Sequence, residues 1–196
     1  MIPPVKNRKA VLSLALLVLL LVLVFTFFRT SVREQIRTSK GPDPSSAGTP
    51  YAAQSPTKKV TLFFVRDDDG LLAPEEREIA SDPSPAREAE EVIAELIKGP
   101  TGALIASLPP ETKLGQLFIT KDGTAYVDFS RDLVDRHPSG TDAEVSTVYA
   151  VVNSLTLNFK TIKRVFFLID GEERETLDGH LSLHKPFVPD YSLVAR

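Results

Sequence analysis

From Ala10 to Phe28 the chain reads AVLSLALLVLLLVLVFTFF, nineteen residues with only Ser13 and Thr26 as polar interruptions. No other feature limits the fold as much. As a helix at ~1.5 Å per residue the run reaches about 28 Å, close to the ~30 Å hydrocarbon core of a bilayer. Inside lipid each backbone group must be bonded within its own segment, which leaves helix as the economical conformation. A buried core helix keeps a polar stripe, and this run is apolar all round. A cleaved signal peptide has a shorter apolar stretch followed by small residues, whereas this one exits through Phe27-Phe28-Arg29. The expectation is an uncleaved transmembrane anchor over residues 10–28, embedded in the lipid bilayer, with residues 1–9 as a short cytoplasmic tail.

Charge alone does not orient the anchor. Lys6, Arg8 and Lys9 precede it, and Arg29, Arg33, Arg37 and Lys40 follow, so the positive-inside count is nearly tied. The very short leading tail, and the spacer described next, favour an inside N-terminus. The chain is then single-pass in the cytoplasmic (inner) membrane, with its bulk extracytoplasmic. Residues 29–57 are read as a juxtamembrane segment and linker. Thr38–Thr57 (TSKGPDPSSAGTPYAAQSPT) has no apolar period and buries too little to offset its ordering entropy.

The net charge of -3 conceals an asymmetry. Residues 1–40 hold seven Lys/Arg and one acid, leaving 16 of the 23 basic and 25 of the 26 acidic side chains in the remainder, a net charge of -9. A body this acidic has no general attraction for phosphate backbones, so nucleic acid is excluded as a partner. The chain has no cysteine, hence no disulfide, thiolate metal site, thiol nucleophile or lipidated cysteine.

The folded region is expected over residues 58–184, with 185–196 as a C-terminal tail. Val60–Val65 is β-branched and aromatic, a strand, and Asp67-Asp68-Asp69-Gly70 turns it. Leu71–Ile79 is read as a shorter returning strand, although PEERE also tolerates helix. Ser84 and Pro85 open a helix whose Ala86, Ala89, Val92, Ile93, Leu96 and Ile97 form one apolar stripe; Gly99-Pro100 ends it. Leu114–Thr120 and Thr124–Phe129 flank Lys121-Asp122-Gly123, a hairpin. Thr141, with Glu144 three residues on, predicts a capping box at the start of a second helix. Arg164–Ile169 is a nearly continuous apolar strand, and Asp170-Gly171 turns it toward a final strand at Arg174–Leu177. The order ββ-α-ββ-α-ββ predicts an α+β fold, one antiparallel or mixed sheet with two helices on one face, preceded by the transmembrane helix.

Chemistry is sparse. His180 and His184 are spaced i, i+4, but LDGHLSLHKPF reads as extended chain, where the rings stand roughly 13 Å apart at ~3.3 Å per residue, too far to share a metal. Asp67, Asp69, Gly70 and Glu76 fit part of a calcium loop, yet its first position falls on Val65 and no helix precedes it. Glu75, Glu76 and Glu78 read as a solvated strand edge moderated by Arg77. No phosphate-binding glycine loop or nucleophile elbow occurs. No catalytic residue, cofactor, metal or small-molecule partner is expected.

Several stretches together resemble a known family: VTLFFVRDDDGLLAPEEREI, then ELIKGP with SLPPETKL behind it, DGTAYVDFS, VVNSLTLNF, and RVFFLIDGEERETLDGHLSL. Colinear over residues 60–184, they are similar to the GerMN domain family, here in a single copy. The resemblance implies an extracytoplasmic α+β module, akin to the ring-building folds of bacterial secretion and sporulation assemblies, that works by assembly or binding rather than chemistry. The family occurs also as tandem pairs and often behind a lipidated cysteine, so neither sporulation nor germination follows from its name.

The expected function is a membrane-anchored interaction module of the cell envelope, with an envelope protein or a second copy as partner. A peptidoglycan-binding module is the alternative, and a wall hydrolase ranks below it. Phe63-Phe64 and Phe166-Phe167 sit in pairs on strands, so one member of each faces away from the helices. Phe64 and Phe167, if exposed there, mark a docking patch. The competing expectation is that Pro186–Arg196 folds across and covers that face.

Overall fold

The computed structural model describes residues 56–195. The anchor expected at 10–28, the tail before it and the linker up to residue 55 lie outside the described residues. Among the described residues no helix is long and apolar enough to cross a membrane.

Strand β1, Thr57–Val65, runs into a turn in which the Asp69 carboxylate accepts the Leu71 N–H at 3.0 Å and Arg66 holds Asp68 and Asp69. The chain returns as β2, Leu72–Ala80, antiparallel from Thr57 opposite Ala80 to Val65 opposite Leu72. Helix α1, Pro85–Lys98, starts as expected: Ser84 Oγ accepts the Arg87 N–H and proline stands at the first position. It buries Ala89, Val92, Ile93 and Leu96 and stops at Gly99.

β3, Leu114–Ile119, and β4, Thr124–Phe129, form the expected hairpin. A single turn, α2 (Asp132–Asp135), leads to the long helix α3, Thr141–Asn158, which carries the chain across to β5, Arg164–Ile169, parallel to β4. A parallel neighbour requires such a crossover. The inward residues Leu117, Ala125, Val127, Phe129, Val165, Phe167 and Ile169 join Val92, Ile93 and Leu96 of α1 and Val148, Val151, Val152 and Leu155 of α3 in one core. Residues 53–196 form a compact unit of their own.

The α+β class stands, but three expectations are corrected. The strands form two sheets, β1-β2 and β3-β4-β5, rather than one. β1 does not pair with a further strand because α3 and a loop occupy its free edge. Asn158 accepts the Thr61 N–H (2.9 Å) and donates to the Thr61 carbonyl (2.7 Å), and Ser154 Oγ accepts the Phe63 N–H (3.0 Å). Ser107 Oγ donates to the Phe63 carbonyl, and Val65 exchanges backbone bonds with Ile105. Side chains thus satisfy backbone groups that a neighbouring strand would otherwise satisfy.

Arg174–Leu177 is not a strand either; one bridge, Ile169 to Glu172, is all that follows the turn. The N–H groups of Leu177, Asp178 and His180 go instead to the carboxylate of Glu144. That also removes the capping box: Gly140 holds the N-cap position of α3 and no side chain caps it.

Candidate interaction face

Alternation along the three-stranded sheet sends every second residue away from the core. Register then aligns the outward residues in rows. Phe118 of β3 lies opposite Tyr126 of β4, which lies beside Phe166 of β5. The Phe118 and Tyr126 rings stack with centroids 4.7 Å apart and planes 6° from parallel; Tyr126 and Phe166 are 5.3 Å apart and tilted. Phe166 is 7% exposed and Phe118, on the edge strand, 47%. The ladder runs from covered to open, and Phe118 keeps one ring face free.

One end of this face is fixed by the hairpin. The hydroxyls of Thr120 (2.5 Å) and Thr124 (3.0 Å) donate to Asp122, and Arg164 pairs with it. The hydroxyls first, then the guanidinium, hold the Asp122 carboxyl down to about 2. Around the corner lies a cavity of about 490 Å3, lined by Pro85, Ala86, Ile119, Lys121 and Lys163 among others.

The residues proposed from sequence as a docking patch are elsewhere. Phe64 and Phe167 are fully buried. Phe64 faces the core beneath the Arg77 guanidinium, and Phe167 lies between Phe129 and Phe187, ring centroids 6.0 and 5.8 Å away. Their neighbours are covered too: Phe63 packs with Leu72 and Ala150, against Val194. The second expectation, the tail folding across, accounts for part of this. Phe187 pairs with Val165 by backbone hydrogen bonds, and Ala195 donates to the Leu72 carbonyl.

The acids also have structural partners. Arg77 lies between Glu75 and Glu95 and donates to the Gly99 carbonyl, tying β2 to the end of α1. Burial opposes ionisation of Glu75, but bonds from Thr101 and Arg77 outweigh it and lower its pKa. Lys58, aided by the Asp82 N–H and Ser81, lowers that of Glu88 against its desolvation. His180 Nδ1 lies 3.4 Å from Glu144, while His184 is exposed. Among the described residues no group of three or more His, Cys, Asp or Glu is placed to hold a metal. Sequence reasoning missed Phe118 and Tyr126, although the alternation in TAYVDF that buries Ala125, Val127 and Phe129 already turns Tyr126 outward.

The architecture defines a class: an α+β domain whose open sheet face carries aromatics. The family model for Germane, described as sporulation and spore germination, matches residues 61–175. The chain belongs to that family, the GerMN domains. The first GerMN domain of the sporulation protein GerM from Bacillus subtilis is similar in fold, with a TM-score of 0.55, 22% identity, and coverage of 67% of this chain and 97% of that one. The tandem GerMN domains of the same protein give a TM-score of 0.52 at 23% identity, covering 68% of this chain and 46% of the tandem. Comparison with curated protein sequences returned no significant match.

Proposed function

We propose that this chain is a membrane-anchored, extracytoplasmic, non-catalytic module of the bacterial cell envelope that binds another protein. The observation that carries the reading is Phe118, half exposed and stacked on the partly buried Tyr126 on a sheet face that no described helix covers. A large aromatic left in solvent at the open end of a packed ladder is characteristic of interfaces. The apolar run at 10–28 supports the anchor, and membership of the GerMN family supports a binding role.

The test is in-cell photo-crosslinking of the full-length chain from the exposed position 116, two residues from Phe118 on β3, with partner identification. A discrete protein adduct that vanishes in F118S bears the reading out, and no adduct from any surface position overturns it. The same ring pair favours a second reading, a peptidoglycan ligand stacked on Phe118. Retention on purified peptidoglycan, saturating at micromolar protein and lost in F118S, would put that reading first.

A further inference from the structure

The outer edges of β2, which Val194 bridges at Leu72, and of β3 are guarded differently. β2 carries Pro74, Glu75, Glu76, Arg77 and Glu78, residues of the kind that keep an edge from pairing with another chain. β3 reads LGQLFI, without proline or charge, and its one blunting feature is a bulge beside Gly115. The Thr120 N–H bonds the Thr124 carbonyl, and antiparallel bonds recur every second residue. Phe118 is therefore turned to Tyr126, and the backbone groups of Leu117 and Ile119 point away from β4. Among the described residues no other hydrogen bond reaches them. Gln116 and Phe118 on this edge are exposed.

Charge brackets the edge. Lys113 precedes β3 and Lys121 follows it; both are exposed. Neither enters an ion pair among the described residues. Lys121 shares the 490 Å3 cavity with Lys163, also exposed and unpaired. A second copy is a poor occupant: antiparallel pairing of β3 with itself about Leu117 sets Lys113 against Lys121 at both ends, and like charges opposite each other destabilise.

We propose that the free edge of β3 takes an extended segment of a different polypeptide as an added strand. Its backbone bonds Leu117 and Ile119, an apolar or aromatic side chain covers the open face of Phe118, and acidic residues at its two ends meet Lys113 and Lys121. Main-chain bonds supply affinity and the flanking charges supply selectivity, as in strand addition generally. The inference deepens the protein-binding reading and rests on it.

The residue 53–196 domain carries its whole core, so it is the species to titrate. The probe is a short synthetic peptide of alternating threonine and valine around a central tyrosine, with glutamate at each end. Amide shifts should concentrate at Leu117 and Ile119. Reversing both lysines, Lys113→Glu with Lys121→Glu, should weaken binding on the order of tenfold, and a lysine-ended peptide should restore it. Shifts away from β3, affinity indifferent to the charge exchange, or domain self-association through β3 would each overturn the proposal. Crosslinkers at Gln116 and at Leu157, exposed near the end of α3, separate the two levels in cells when carried by the full chain. An adduct from Leu157 alone overturns the edge and leaves the protein-binding reading standing, whereas silence from every position removes both.

Discussion

A carboxylate with no exposed surface is costly unless its lone pairs are filled, and Glu144 fills them almost entirely with backbone. It accepts N–H groups from Leu177 (2.7 Å), Asp178 (3.1 Å) and His180 (2.9 Å), fastening the segment after β5 to α3. Desolvation pushes its pKa up, the backbone bonds pull it down, and the bonds prevail. A carboxyl whose folded pKa lies below its unfolded value stabilises the fold fully above the unfolded value and loses that contribution as pH falls through the folded one. Glu144→Gln keeps the shape but turns an amide N–H2 toward backbone donors. It should cost about 2 kcal/mol at pH 7, the scale of a hydrogen bond to a charged group. Urea midpoints should show the gap between wild type and variant narrowing as pH falls below the ordinary value of 4.5 and on through the lowered folded one, where the folded wild type also loses its charge; a gap constant with pH would show that the carboxylate charge is not what fastens the segment. The spacing from Thr141 legibly placed Glu144 near a helix start. Its actual donors lie 33 to 36 residues downstream, and no local pattern encodes so distant a partner.

At the scale of elements, the free edge of β1 decides that the domain has two sheets. Asn158→Ala would leave the Thr61 N–H and carbonyl without their partner and should destabilise the domain by about 2 kcal/mol. Amide exchange at Thr61 should accelerate ahead of that at Leu62, and equal protection in variant and wild type would mean that water replaces the side chain without loss. The β3–β4 hairpin makes a second, sharper case. Gly123 has φ +86°, and a Cβ there would sit 2.9 Å from the Thr161 carbonyl, whereas Gly70, at φ +71°, has nothing within 4 Å. Gly70→Ala should cost about 1 kcal/mol from backbone strain alone, and Gly123→Ala more, because the α3–β5 turn must also shift. Equal thermal denaturation losses for the two variants would rule out the close approach as a cause. Periodicity made α1, the hairpin and β5 legible, since their burial patterns are local. Sheet partition was not legible, because it depends on Ser154 and Asn158 reaching β1 from more than 90 residues away.

For the whole molecule, the sequence offered two outcomes for the face opposite the helices: exposed phenylalanines, or a tail laid over them. Both occur, on different residues. The tail packs Phe187 against Phe167 and Val194 beside Phe63, but Phe64 and Phe167 are not a surface because strand alternation turns both into the core, while β3, which the tail contacts do not include, leaves Phe118 open. Composition could not separate these cases, because every candidate is a phenylalanine on a strand; the phase of the alternation turns Phe64 and Phe167 inward, and the path of the last residues covers Phe63. Removing residues 186–196 should therefore uncover Phe167 and Tyr149 and free the edge at Leu72. Losing the burial of one phenylalanine costs about 2 kcal/mol, so the urea midpoint should drop and a hydrophobic dye should bind the truncated domain. Phe187→Ala alone should reproduce most of the loss. Val188→Ser, at a side chain 61% exposed, should reproduce none. If truncation left both the midpoint and dye binding unchanged, Phe167 would owe its burial to Phe129 and the core, and the tail would be dispensable to the fold.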